Sequence, residues 1–189
     1  MNRLPAAFLD GLDPAQRELL AAITGGPRRG STPLALVDER GRVVGPFGPM
    51  LLQPAVGDPV QRLGAALRYS GRLTAEHREV ATLVVAHHQG SVFEVAAHEP
   101  LARAVGVPAD TITALRTGNT TDLPLDHAVV AHTVLALLEP GQLDDAEYAT
   151  AQQVFGAEGL FELVVLVSYY RLLAQLMRVF DTDRDDTAS

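Results

Sequence analysis

Ser91, Glu94 and His98 stand three and four residues apart in the stretch HHQGSVFEVAAHEP, which runs from His87 to Pro100. A Glu and a His four apart share one face of a helix. When such a pair is partly buried, the carboxylate orients the imidazole and supports its charged form, so the His can move protons near neutral pH. When it is exposed, it is an ordinary helix salt bridge. Ser-x-x-Glu after a Gly is also a capping-box pattern, in which the Ser oxygen takes an amide and the Glu reaches back to the Ser amide. The cap is a sufficient explanation for Ser91 and Glu94, but it leaves His98 unexplained.

Further candidates lie upstream. Glu79, Leu83 and Ala86 share one helix face, with His87 just beyond, so Glu79 points toward neighbouring elements. Alternatively, Glu79 is half exposed and pairs with Arg78 or Arg72. His87 and His88 are adjacent and point about 100° apart on a helix, which does not suit a shared metal ion. His87, His88, Glu94 and His98 match no zinc spacing such as H-E-x-x-H, so no metal is expected. His127 and His132 are read as core or surface histidines. The chain has no G-x-S-x-G, no phosphate-binding P-loop and no G-x-G-x-x-G.

The elements that must position these groups read as helices. The chain has 189 residues, 47% hydrophobic and 5% aromatic with no Trp, so a core of Leu, Val and Ala is expected. The net charge of −8 disfavours nucleic acid as a partner. The absence of Cys excludes thiolate and disulfide chemistry. The start lacks a signal-peptide pattern, and Glu162 and Arg171 interrupt the apolar stretch LFELVVLVSYYRLLAQLM. A soluble, cytoplasmic protein with no membrane partner is therefore expected.

Asp13 and Pro14 open a short first helix. Residues 25–57 are dense in Gly and Pro and predict a long loop, but Val43, Phe47, Met50 and Leu51 imply that it packs on something. From Asp58 onward helices follow one another. One covers PVQRLGAALRYSG. The next is capped by Thr74 and stopped by Gly90, and a third runs from Ser91 to Gly106 with a kink or break expected at Pro100. Later helices end at Gly118, near Gly141 and at Gly156, and the longest spans about Glu158 to Phe180. LALVDERGRVVG is the one place where two short strands around a turn are plausible.

GPFGPMLLQP, LRYSGRLTAEHREVATLVVAHHQGSVFEVAAHEPLARAVGVP and SYYRLLAQLMRVF occur in that order. Together they resemble the carboxymuconolactone decarboxylase-like family, which shares its fold with alkylhydroperoxidase D. The resemblance covers about residues 40–180. It implies an all-α helical bundle of that type, a single domain of seven or eight helices with 74–89 and 91–106 as a central hairpin. The organisation would be residues 1–39 as N-terminal helix and loop, 40–180 as the family domain and 181–189 as an acidic tail.

In the peroxidase branch, the positions of Ser91 and Glu94 carry paired Cys, His98 keeps its His, and Glu79 is the upstream proton-relay Glu. Without a thiol, peroxidase chemistry of that kind is lost. Where many relatives carry an aromatic after the motif Glu, this chain has Val95, with Phe93 just before it.

The decarboxylase branch implies a cofactor-free lyase or isomerase acting on a small carboxylated or lactone ring. His98 would be the general acid/base, Glu94 its orienting partner and Glu79 a second proton carrier. Arg78 would hold a substrate carboxylate or make a plain salt bridge. Phe47 and Met50 would cover the pocket, with Ser91 and His87 also on the substrate side. A homotrimer or hexamer is implied. The rival expectation is a non-catalytic small-molecule binding or assembly protein that keeps the fold.

Overall fold

The computed structural model describes residues 3–4, 11–25, 36–38, 41 and 43–183. Most of the 25–40 loop and the tail beyond Asp183 lie outside the described residues. Within them, eight helices occur and no strand: α1 (Pro14–Thr24), α2 (Phe47–Met50), α3 (Pro54–Tyr69), α4 (Ala75–Gln89), α5 (Val92–Ala104), α6 (Ala109–Thr117), α7 (Leu125–Leu138) and α8 (Asp145–Phe180). The expected strand pair is reduced to one isolated antiparallel bridge between Val37 and Val43.

The chain divides into two compact units, one of residues 1–70 and 173–189, the other Gly71–Leu172.

In the first unit, Asp13 caps α1 and forms a full capping box with Gln16. The Gly/Pro-dense stretch is more helical than its composition suggested. Phe47–Met50 forms one helical turn, and α3 begins at Pro54, five residues before the expected start at Pro59. Pro54 sits in the first turn, where its missing amide costs nothing, and Pro59 is accommodated inside the helix. Gly57 permits this arrangement, because a Cβ there would lie 2.9 Å from the Met50 carbonyl carbon. Val43, Met50 and Leu51 are buried, so the loop does pack.

In the second unit, α4 packs against α5, α6 and α7. Residues Val80 to Ala86 of α4 are buried without a gap, which makes it the central element. Thr74 caps α4 by accepting the His77 amide at 3.1 Å, and Gly90 ends it in the left-handed conformation, φ 64°. The next residue, Ser91, already caps α5. The expected hairpin thus forms with only Gly90 and Ser91 between the two helices. α5 continues unbroken through Pro100, which lies on an exposed side.

Asp145–Phe180 is interrupted at Gly156, whose φ 65° and ψ 175° are open essentially to glycine alone. This helix is long and apolar enough to cross a membrane by length and composition, yet half of its most apolar window is buried within the protein. Glu162, which interrupts that window, is itself buried. Its Oε2 accepts the backbone amides of Arg72 and, at 3.2 Å, Leu73, tying the start of the α4 segment to α8. A Cβ on Gly71 would collide with the same carboxylate, so this close approach requires glycine.

Candidate active site

α4 and α5 bring Glu79, Glu94 and His98 together. All three are buried, with relative exposures of 2%, 3% and 5%. His98 Nδ1 lies 2.7 Å from Glu79 Oε2, a length typical of a charge-assisted hydrogen bond. Its other nitrogen, Nε2, lies 3.4 Å from Glu94 Oε2. The imidazole therefore sits between two carboxylates, one at each ring nitrogen.

The pairing explains why burial has not silenced this histidine. Burial alone pushes the imidazole pKa down. The hydrogen bond to Glu79, the contact with Glu94 and both carboxylate charges outweigh it and raise the pKa to about 9. At neutral pH His98 is an imidazolium with a proton on each nitrogen. The short bond to Glu79 holds the Nδ1 proton, which leaves Nε2 as the nitrogen able to give or take one.

The closer carboxylate is Glu79 from the neighbouring helix. Glu94, on His98's own helix, was expected to be the orienting partner but lies farther away. The Glu94 Oε1 atom is buried and makes no hydrogen bond. The capping box of α5 is half made. The Ser91 hydroxyl accepts the Glu94 amide at 3.4 Å, while the Ser91 amide donates to the Ala86 carbonyl at 2.9 Å. With that amide engaged, the Glu94 carboxylate is left to face His98.

Arg78 stands behind Glu79. Its Nε is 3.7 Å from Glu79 Oε1, and its side chain is 15% exposed. The order Arg78, Glu79, His98, Glu94 alternates in charge along one chain of contacts. Arg78 thus makes the salt bridge to Glu79 that was one of its two expected roles.

His87 belongs to a different environment. Its pKa is lowered by burial, with Glu99 opposing and Arg116 adding to the shift. Phe47 and Met50 lie in the first compact unit, outside the unit that holds the three buried groups. No group of three or more His, Asp or Glu among the described residues is placed to hold a metal ion.

Tyr170 of α8 was not singled out from the sequence. Its hydroxyl lies 3.2 Å from His98 Nε2, and its ring meets the imidazole edge to face at 5.2 Å and 90°. The available signal was a phenol inside a strongly apolar helix, which needs a polar partner when buried. Sequence pattern could not name a partner 72 residues away.

Residues 54–135 match the model of the carboxymuconolactone decarboxylase family. The crystal structure of an alkylhydroperoxidase AhpD core, an uncharacterized peroxidase-related protein from Ralstonia eutropha JMP134, is similar to this chain with a TM-score of 0.75 at 15% identity. That match covers 98% of this chain and 93% of the other. At such low identity the likeness establishes the fold. No curated protein matches the chain. The segment that matches the carboxymuconolactone decarboxylase family model, residues 54–135, carries Arg78, Glu79, Ser91, Glu94 and His98, and the chain has the all-α alkylhydroperoxidase D-like fold.

Proposed function

We propose that this protein is a cofactor-free lyase or isomerase that transfers protons on a small carboxylated or lactone ring. The observation that carries the proposal is the buried His98 imidazole held between Glu79 and Glu94. His98, protonated at neutral pH, acts as general acid through Nε2. Glu79 fixes the tautomer by holding the Nδ1 proton. Glu94, with one oxygen outside any hydrogen bond, is the second proton carrier. The two glutamates thus exchange the roles that the resemblance implied.

In a decarboxylation the C–C bond to the carboxylate breaks, CO2 leaves, and the electron pair passes into an enolate. The Nε2 proton is then delivered to carbon, and His98 is reprotonated from water. In an isomerisation Glu94 takes a proton from carbon and Nε2 returns one at another position. Arg78 offsets the Glu79 charge, so the buried chain carries two positive and two negative groups.

The test is incubation in D2O with a panel of carboxylated and plain γ-lactones, following CO2 release and deuterium on carbon. The wild-type protein turns over at least one member, and His98→Gln loses about 10²–10⁴-fold. Unchanged turnover in His98→Gln removes the assignment. Ligand-induced thermal stabilisation without turnover or exchange replaces it with a non-catalytic binding role.

The same reading includes self-association. Phe161 is 72% exposed, and Val164 and Leu172 continue its stripe on α8 at 40% and 42%. A trimer or hexamer would cover this stripe. Light scattering showing only the single-chain mass removes that part.

A further inference from the structure

We propose that Tyr170 is a positioning residue of the His98 site, its hydroxyl accepting the Nε2 hydrogen bond and fixing the edge from which His98 gives its proton. This rests on the acid–base reading of the site and adds a member that lies outside the family match.

Three observations support it. The hydroxyl is the nearer of the two oxygens at Nε2, 3.2 Å against 3.4 Å for Glu94 Oε2. The ring's edge-to-face contact would survive with Phe, so the hydroxyl is what distinguishes Tyr here. And Tyr170 is half-buried while Glu79, Glu94 and His98 are buried, so it is the member of the group that reaches toward the outside. Tyr169, buried beside it, braces the ring edge to face at 5.5 Å.

The ionisable groups that face His98 among the described residues are Glu79 from α4, Glu94 from α5 and Tyr170 from α8, with Arg78 behind Glu79. Two of these hold the imidazolium by charge. Tyr170 holds it as a neutral acceptor, so it can set direction at Nε2 without adding a second buried negative charge there.

The experiment is a histidine NMR titration of full-length wild-type protein and Tyr170→Phe, with tyrosine ring carbons observed in parallel. In Tyr170→Phe the His98 midpoint falls by about one unit, because the imidazolium loses an acceptor. In the wild-type protein the Tyr170 Cζ signal moves through the same pH range as His98, a readout that does not depend on the variant folding. A His98 midpoint unchanged in Tyr170→Phe, or a flat Tyr170 signal across the His98 titration, overturns the positioning role and leaves the acid–base site standing. A shifted midpoint with no turnover on any lactone overturns the proposed function and leaves the positioning role standing.

Discussion

The second compact unit buries two histidines beside acidic residues, and they are built differently. His98 has a carboxylate at each ring nitrogen, and both carboxylates are themselves buried. His127 is as deeply buried, at 2%, but neither ring nitrogen makes a hydrogen bond. Its acidic neighbour, Glu76 at 3.4 Å, is 45% exposed. The ring of His127 lies edge-on to His77 at 6.5 Å, and His77 in turn meets Phe155 at 5.7 Å. His127 has ring contacts and a largely solvated carboxylate beside it, whereas His98 is held between two buried ones. Burial does not make a proton carrier; partners desolvated together with the ring do.

The comparison breaks most visibly at the carboxylates. Glu79→Ala leaves a buried imidazolium without its main partner and costs about 3–5 kcal/mol in urea unfolding at pH 7. Glu76→Ala, its counterpart at His127, changes stability by no more than about 0.5 kcal/mol, since that carboxylate is largely solvated. Similar losses from the two variants would erase the distinction.

The next effect is the pH dependence that His98 contributes. Its pKa is raised on folding from 6.5 to about 9, so between those values the folded protein holds a proton that the unfolded chain has released. The stabilisation is fully present below pH 6.5 and is lost as pH rises through 9, by on the order of 3 kcal/mol. Chemical unfolding across this window shows the decline in wild type and in His127→Phe. In His98→Gln the decline flattens, and a slope that persists there would place the titrating group elsewhere.

A smaller change sharpens the role of the cap. Ser91→Ala removes the acceptor for the Glu94 amide and lowers the melting free energy by about 1 kcal/mol. Because the Glu94 carboxylate faces His98 and not the cap, the His98 titration midpoint stays in place. The smallest effect is expected at the other histidine. His127→Phe removes two nitrogens that make no hydrogen bond, together with the contact to the largely solvated Glu76, and keeps the ring, so stability changes by less than about 1 kcal/mol.

Some of this was legible in the sequence for specific reasons. Thr74, Gly90, Gly118 and Gly156 marked helix ends because caps and left-handed or extended glycine positions are local chemistry. Glu94 and His98 were readable as a pair because four residues is one helical turn. Glu79 was readable as an acid on an inward helix face, but its contact with His98 spans 19 residues and depends on how α4 and α5 pack.

The start of α3 was missed because Pro59 looks like a helix start, and only the Gly57–Met50 approach shows why the helix begins earlier. The break expected at Pro100 did not occur. Tyr170 and the Glu162 bonds to the Arg72 and Leu73 amides are tertiary facts, for which the sequence offers only a polar group in an apolar run.

The most direct measurement is the NMR titration of the imidazole carbons of His98 and His127 in the wild-type protein, from about pH 5 to about pH 11. Tight pairing with two buried carboxylates predicts a His98 midpoint near 9, abolished as a distinct signal in His98→Gln. A His98 midpoint at or below the ordinary value of 6.5 would contradict the central claim that this histidine is a buried, protonated acid.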